Sequence, residues 1–169
     1  MEEIVTFFAE LSSPQKLGWI VTCMLVFWLL EGTFPLFQLK SHNWRHTRLN
    51  LVLLCTTMLI NVLFGLLTAG VFIWLETNEL GLLHLFDLPM WVEFLIALLL
   101  LDFIAQFGVH YLLHKVPFMW RFHMVHHSDT KVDVTSGTRH HPGDFVMRET
   151  FALIAVLVGG IPFAYYATY

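Results

Sequence analysis

Charge is what this sequence has least of. Only 13% of its residues are Asp, Glu, Lys or Arg, against 57% hydrophobic, where a soluble domain carries about 25% charged residues. Too little polar surface remains to cover a water-facing globule, which excludes an ordinary soluble enzyme. Cysteine is scarce too. Cys23 and Cys55 both sit inside apolar runs without ligand-like neighbours, so they read as small packing residues rather than a disulfide or a metal pair. The N-terminus lacks a basic stretch before its first apolar run. It opens on Glu2, Glu3 and Glu10 instead and does not read as a cleavable signal peptide. Internal repeats and low-complexity tracts are absent as well.

What the sequence does have is long apolar segments. A spanning helix needs about 20 such residues, and four stretches supply them, at about 17–39, 51–75, 90–114 and 148–169. Gly32 and Pro35 interrupt the first, and Gly159, Gly160 and Pro162 bend or break the fourth. The expected fold is an all-α membrane protein, a single domain over residues 1–169, with about four transmembrane helices. Lys40, Arg45 and Arg48 lie between the first and second spans, and Lys115, Arg121, Lys131, Arg139 and Arg148 between the third and fourth. The segment 76–89 has no Lys or Arg and carries Glu76, Glu79 and Asp87. Two crossings separate the basic segments, so both fall on one face, which the positive-inside rule makes cytoplasmic.

The cytosolic segment 110–144 is a histidine-rich helical cap. Seven of the ten histidines fall between His110 and His141. His110 and His114, at i, i+4, share one helical face. His123, His126 and His127 place three imidazoles within an arc of about 100°, and Pro117 lets the chain turn back between the two sets. Imidazole suits iron, zinc, copper and nickel, and a set without cysteine argues against a structural zinc finger. Asp102 and Gln106 extend the series upstream at the same spacing of four. A carboxylate inside an apolar span is costly, and its simplest task is to accept a hydrogen bond from a ligand imidazole and fix its tautomer. His42 and His46, spaced i, i+4 in the first basic segment, are expected among headgroups, with joining the site as the alternative, and His84 falls on the opposite face. Glu31 and Glu93, near span ends, read as surface residues. The basic segments read as orientation signals and contacts to anionic lipid, not as a nucleic-acid surface.

These residues resemble the fatty acid hydroxylase/sterol desaturase superfamily of membrane-bound, histidine-rich di-iron oxidases. The resemblance rests on Asp102 ahead of His110 and His114, on Trp120 to Asp129, and on Thr135 to Pro142. The first hundred residues match only as generic membrane helices. The resemblance implies an iron-dependent oxidoreductase, di-iron in the family and with zinc as a possible substitute. It would use O2 and an electron-donor protein to hydroxylate or desaturate a membrane lipid (sterol, fatty acyl or related). It places His110, His114, His123, His126 and His127 on ligand positions and adds His141 of the R-x-H-P element. His140 stands where the family often has an ordinary side chain. Two departures follow. Asp144 stands after His-Pro where the family often has Glu, and a further histidine cluster does not appear before Tyr169. Five or six imidazoles hold one metal well and leave a two-metal site short. The sequence is therefore expected to be the N-terminal part of a longer enzyme or a shortened homologue, impaired on its own. The alternative is a non-catalytic membrane protein that binds or transports metal.

Overall fold

The computed structural model describes residues 6–7, 10–34, 44–130 and 132–169. Lys40, His42, Lys131 and the end of the first expected span beyond Phe34 lie outside them. The described residues form helices α1 (Ser13–Thr33), α2 (Trp44–Asn78), α3 (Met90–Lys115), α4 (Pro117–His127), α5 (Pro142–Gly159) and α6 (Phe163–Thr168). Short 3₁₀ turns at Leu82–Leu85 and Val134–Thr138 complete them, and no strand is present among the described residues. Proline starts α4 and α5 where its missing N–H is one of the orphan donors anyway. Backbone polar groups are satisfied within each segment, which is what a bilayer demands.

Pro14–Thr33, Trp44–Leu85 and Met90–Lys115 are long and apolar enough to cross a membrane. Their apolar side chains face outward: Leu59, Leu66 and Ile73 on α2 are 67%, 72% and 67% exposed. That is a lipid-facing surface rather than a core.

The fourth expected span is not among these three helices of the described residues: charged residues enter its start, and a break near Gly160 cuts it short. Helix α5 begins at Pro142, takes Asp144, Arg148 and Glu149 into its first two turns, and stops at Gly160, whose φ of 64° is left-handed. Asp144 and Arg148 are tolerated there because they are paired, as described below, so hydropathy alone puts the helix start too late. The stop has a backbone cause. A Cβ on Gly81 (φ 119°) would lie 2.2 Å from the Gly160 Cα, so two glycine backbones touch where no side chain fits. The chain then turns at Pro162 into the six-residue α6.

Successive long helices alternate in direction. The start of α2 meets the 129–139 segment through His46 and Asn50, and its far end packs Phe72 against Phe163 and Tyr166. Both basic segments therefore lie at one end of the molecule, with Gly81 and His84 against Gly160 at the other. Ala97 and Ala155, fully buried beside Leu101 and Val156, let α3 and α5 approach closely. Glu31 and Glu93 are engaged rather than merely exposed: Glu31 Oε2 accepts from the Val134 amide at 3.0 Å, and Glu93 Oε2 from the Tyr165 hydroxyl at 3.3 Å.

Within α3, Asp102–Gly108 is wound as a π-helix. Gly108 sits where a Cβ would lie 2.9 Å from the Phe103 carbonyl oxygen. Asp102, Gln106, His110 and His114 still line one groove of about 540 Å³ with Phe107 and Tyr111. The polar stripe read from the sequence survives the wider turn.

Candidate metal centre

Lys115 ends α3, Val116 is extended (φ −92°, ψ 115°), and Pro117 opens α4, which folds back beside it. That bend brings two i, i+4 pairs face to face. Nε2 of His114 lies 3.2 Å from Nε2 of His110 and 3.2 Å from Nε2 of His127, and Nε2 of His127 lies 3.1 Å from Nε2 of His123. One ring nitrogen from each of these four residues falls within 4.8 Å of all the others. Nitrogens about 2.0–2.1 Å from a shared tetrahedral ion stand about 3.3 Å apart, and the three neighbouring pairs already have that separation; a small inward shift of the remaining pairs would complete the set. Trp120 walls the cluster, its ring 5.3 Å from that of His114 and 5.6 Å from that of His127.

Behind the cluster is a fully buried carboxylate, Asp144. It collects three donors. His123 Nδ1 reaches Oδ2 at 3.3 Å, His140 Nδ1 reaches the same oxygen at 2.9 Å, and Arg148 Nε donates to Oδ1 at 3.2 Å. A carboxylate only accepts, so His123 carries its proton on Nδ1 and presents the Nε2 lone pair to the cluster. Burial pushes the His123 imidazole down, against the pull of Asp144, to about 4. Burial pushes the Asp144 carboxyl up, and His140, Arg148 and His123 more than offset it, holding it at about 2. At neutral pH His123 is an uncharged imidazole able to act as a ligand, and Asp144 is an anion.

The remaining candidates are dispersed. His126 points away from the four-nitrogen cluster and stacks on His140 with ring centroids 4.8 Å apart and planes 6° from parallel. Its Nδ1 is buried without a hydrogen-bond partner, a state that costs about 1–3 kcal/mol unless a ligand takes the lone pair. Burial is also the main cause holding the His126 imidazole below its usual range. His141 is the N-cap of α5: its Nδ1 accepts from the Gly143 amide at 3.0 Å, and its ring packs 5.1 Å from that of Phe122. Asp102 is exposed in the groove, and Gln106 lines the same groove. His46 lies between Asp129 and Asp133, and His84 sits against Gly160 at the far end.

Sequence reasoning passed over Asp144, His140 and Arg148 as members of the site. Arg148 Nη2 lies 3.2 Å from His110 Nδ1, so one guanidinium links a ligand imidazole to the buried carboxylate. The available signal was their spacing, since His140, Asp144 and Arg148 step by four along the start of α5.

A family profile described as fatty acid hydroxylase matches residues 94–169. No curated protein and no solved structure gives a significant match. The matched segment contains the four-nitrogen cluster, Asp144 and the R-x-H-P element, and agrees with the resemblance carried by the histidine motifs.

Proposed function

We propose that this chain, whose residues 94–169 match the fatty acid hydroxylase family, is an iron-dependent membrane oxidoreductase that hydroxylates or desaturates a lipid with O2. The observation that carries the reading is the convergence of four imidazole nitrogens at the end of a groove on a membrane helix that Phe107 and Tyr111 line beside Asp102 and Gln106. An all-nitrogen, neutral set open on one side suits iron and leaves room for a further ligand. Bound there, iron would supply the one-electron chemistry that activates O2. Zinc fits the same donors and would occupy the site without redox chemistry.

The protein's own residues do the rest. Asp144 fixes the His123 tautomer and balances positive charge behind the centre. Phe107 and Tyr111 line the groove beside His110 and His114 and offer an apolar wall to a lipid chain entering from the bilayer. His126, with its unpartnered Nδ1, and the adjacent His140 are the residues available to a second ion. His141, as a helix cap, supports α5. Both basic segments share the end of the molecule that carries the centre, which the positive-inside rule places in the cytoplasm. A soluble or peripheral electron donor would reach it there.

The test is reconstitution in lipid nanodiscs with ferrous iron, O2 and a reducing system. Products are read by mass spectrometry as gain of one oxygen or loss of two hydrogens on a lipid. Turnover that disappears in His114→Ala supports the proposal. Bound iron with no oxidised lipid, together with metal uptake into sealed vesicles, would favour a metal carrier instead.

A further inference from the structure

We propose that Arg139 is a positioning residue for the metal-binding helix α4, fixing the end of the helix that carries His127 so that His123 and His127 face the centre; this rests on the metal reading above. The last turn of a helix leaves its carbonyl oxygens without intrahelical partners, and in α4 that turn carries His126 and His127. Arg139 enters it from another element. Its Nε donates to the Val125 carbonyl at 3.0 Å, Nη1 to Asn50 Oδ1 at 3.1 Å, and Nη2 to Ser128 Oγ at 3.0 Å. Its guanidinium therefore holds the end of α4 by a main-chain carbonyl and by the following hydroxyl at once, and its positive charge sits at the negative end of the helix.

The other end of the clamp is anchored in α2, a helix that supplies no residue to the four-nitrogen cluster. Asn50 is fully buried. Its amide donates to Thr135 Oγ1 at 2.9 Å, and that hydroxyl donates to Asp133 Oδ1 at 2.6 Å. One turn earlier on α2, His46 Nε2 lies 2.8 Å from Asp129 and Nδ1 lies 3.2 Å from Asp133. The guanidinium fork is the link between this network and α4. A lysine ammonium, a point donor on a flexible stem, cannot serve three acceptors lying in different directions in the same way. Partners that orient a metal ligand without touching the metal are worth about 10–100-fold in metal affinity.

Co²⁺ alone is the probe, titrated into the detergent-purified full chain and read by the visible band of imidazole-bound cobalt. Arg139→Ala and Arg139→Lys are expected to weaken Co²⁺ binding about tenfold or more and to change the band. Helix content and elution profile should stay as in the wild type. Asn50→Ala should move affinity and band in the same direction while leaving Arg139 in place. Wild-type affinity and an unchanged band in folded Arg139→Ala or Arg139→Lys protein would overturn the proposal. If all three variants fail to fold, Arg139 is a folding residue and the proposal falls. Wild-type protein that takes up no Co²⁺ overturns the metal reading itself, an outcome distinct from the other two.

Discussion

Replacing Asp144 by Ala should damage the centre from behind without touching a single one of its four converging nitrogens. The carboxylate is fully buried and accepts from His123, His140 and Arg148 at 3.3, 2.9 and 3.2 Å. Removing it strands a guanidinium and frees the His123 proton to move to Nε2, where it blocks coordination. Breaking a buried charge pair from one side costs about 3–5 kcal/mol of stability. Losing the orienting partner of a ligand costs about 10–100-fold in metal affinity, or about 1.4–2.8 kcal/mol. Asp144→Asn separates the two effects. It keeps the shape and one acceptor oxygen, so the fold should survive better than the metal affinity does. Thermal unfolding of metal-free protein gives the first quantity and Co²⁺ titration the second. Should Asp144→Asn bind Co²⁺ within twofold of wild type, the carboxylate does not orient His123 and the account of the centre is wrong.

Three further outcomes can be checked. Metal-free protein should lose stability as pH falls from 6.5 towards 4. His123 has a folded pKa of about 4 against an ordinary 6.5, so the unfolded state takes up the proton first, for a loss of about 3 kcal/mol across that window. Asp144, held at about 2, stays ionised throughout it and loses its contribution only at lower pH; a pH-independent melting temperature between 4 and 6.5 would contradict this. His141→Ala should cost about 1 kcal/mol, the usual value of an N-cap, and leave Co²⁺ affinity unchanged; a large fall in affinity would make His141 a ligand. Gly81→Ala should destabilise the protein by more than about 2 kcal/mol, since it adds left-handed strain to a collision with the Gly160 backbone. A variant as stable as wild type in a thermal melt would show that the contact yields.

What the sequence revealed of the centre was its local geometry. His110 and His114, like His123 and His127, stand four apart, and that spacing fixes a shared helical face whatever the rest of the chain does. His126 stands three from His123, which rotates it to the other side of that ring and against His140, so the two nominally equivalent spacings part company. The spacing of Asp144 with His140 and Arg148 hinted at a shared face, but its contact with His123 was illegible: that contact spans 21 residues and two separate elements, and no local pattern records it. Arg139 and Arg148 were read as charges that orient a loop, because a charge count carries no information about acceptors. The helical membrane fold came through clearly because apolar length is a one-dimensional property. The start of α5 did not, because pairing allows charged residues inside it.

The π-wound stretch Asp102–Gly108 bears on how this helix can vary over generations. A π turn is, in register, one residue inserted into an α-helix. The wide turn absorbs that residue, so deleting one letter within it would restore ordinary winding and leave His110 and His114 facing much as they do now relative to Leu101. The packing of Ala97 and Leu101 on α5 and the pairing of His110 and His114 with α4 would both be kept. The same deletion before Asp102 has no wide turn to absorb it and would rotate one set against the other by about 100°. The π turn therefore marks the place along α3 where a descendant of this sequence can change length as well as spelling.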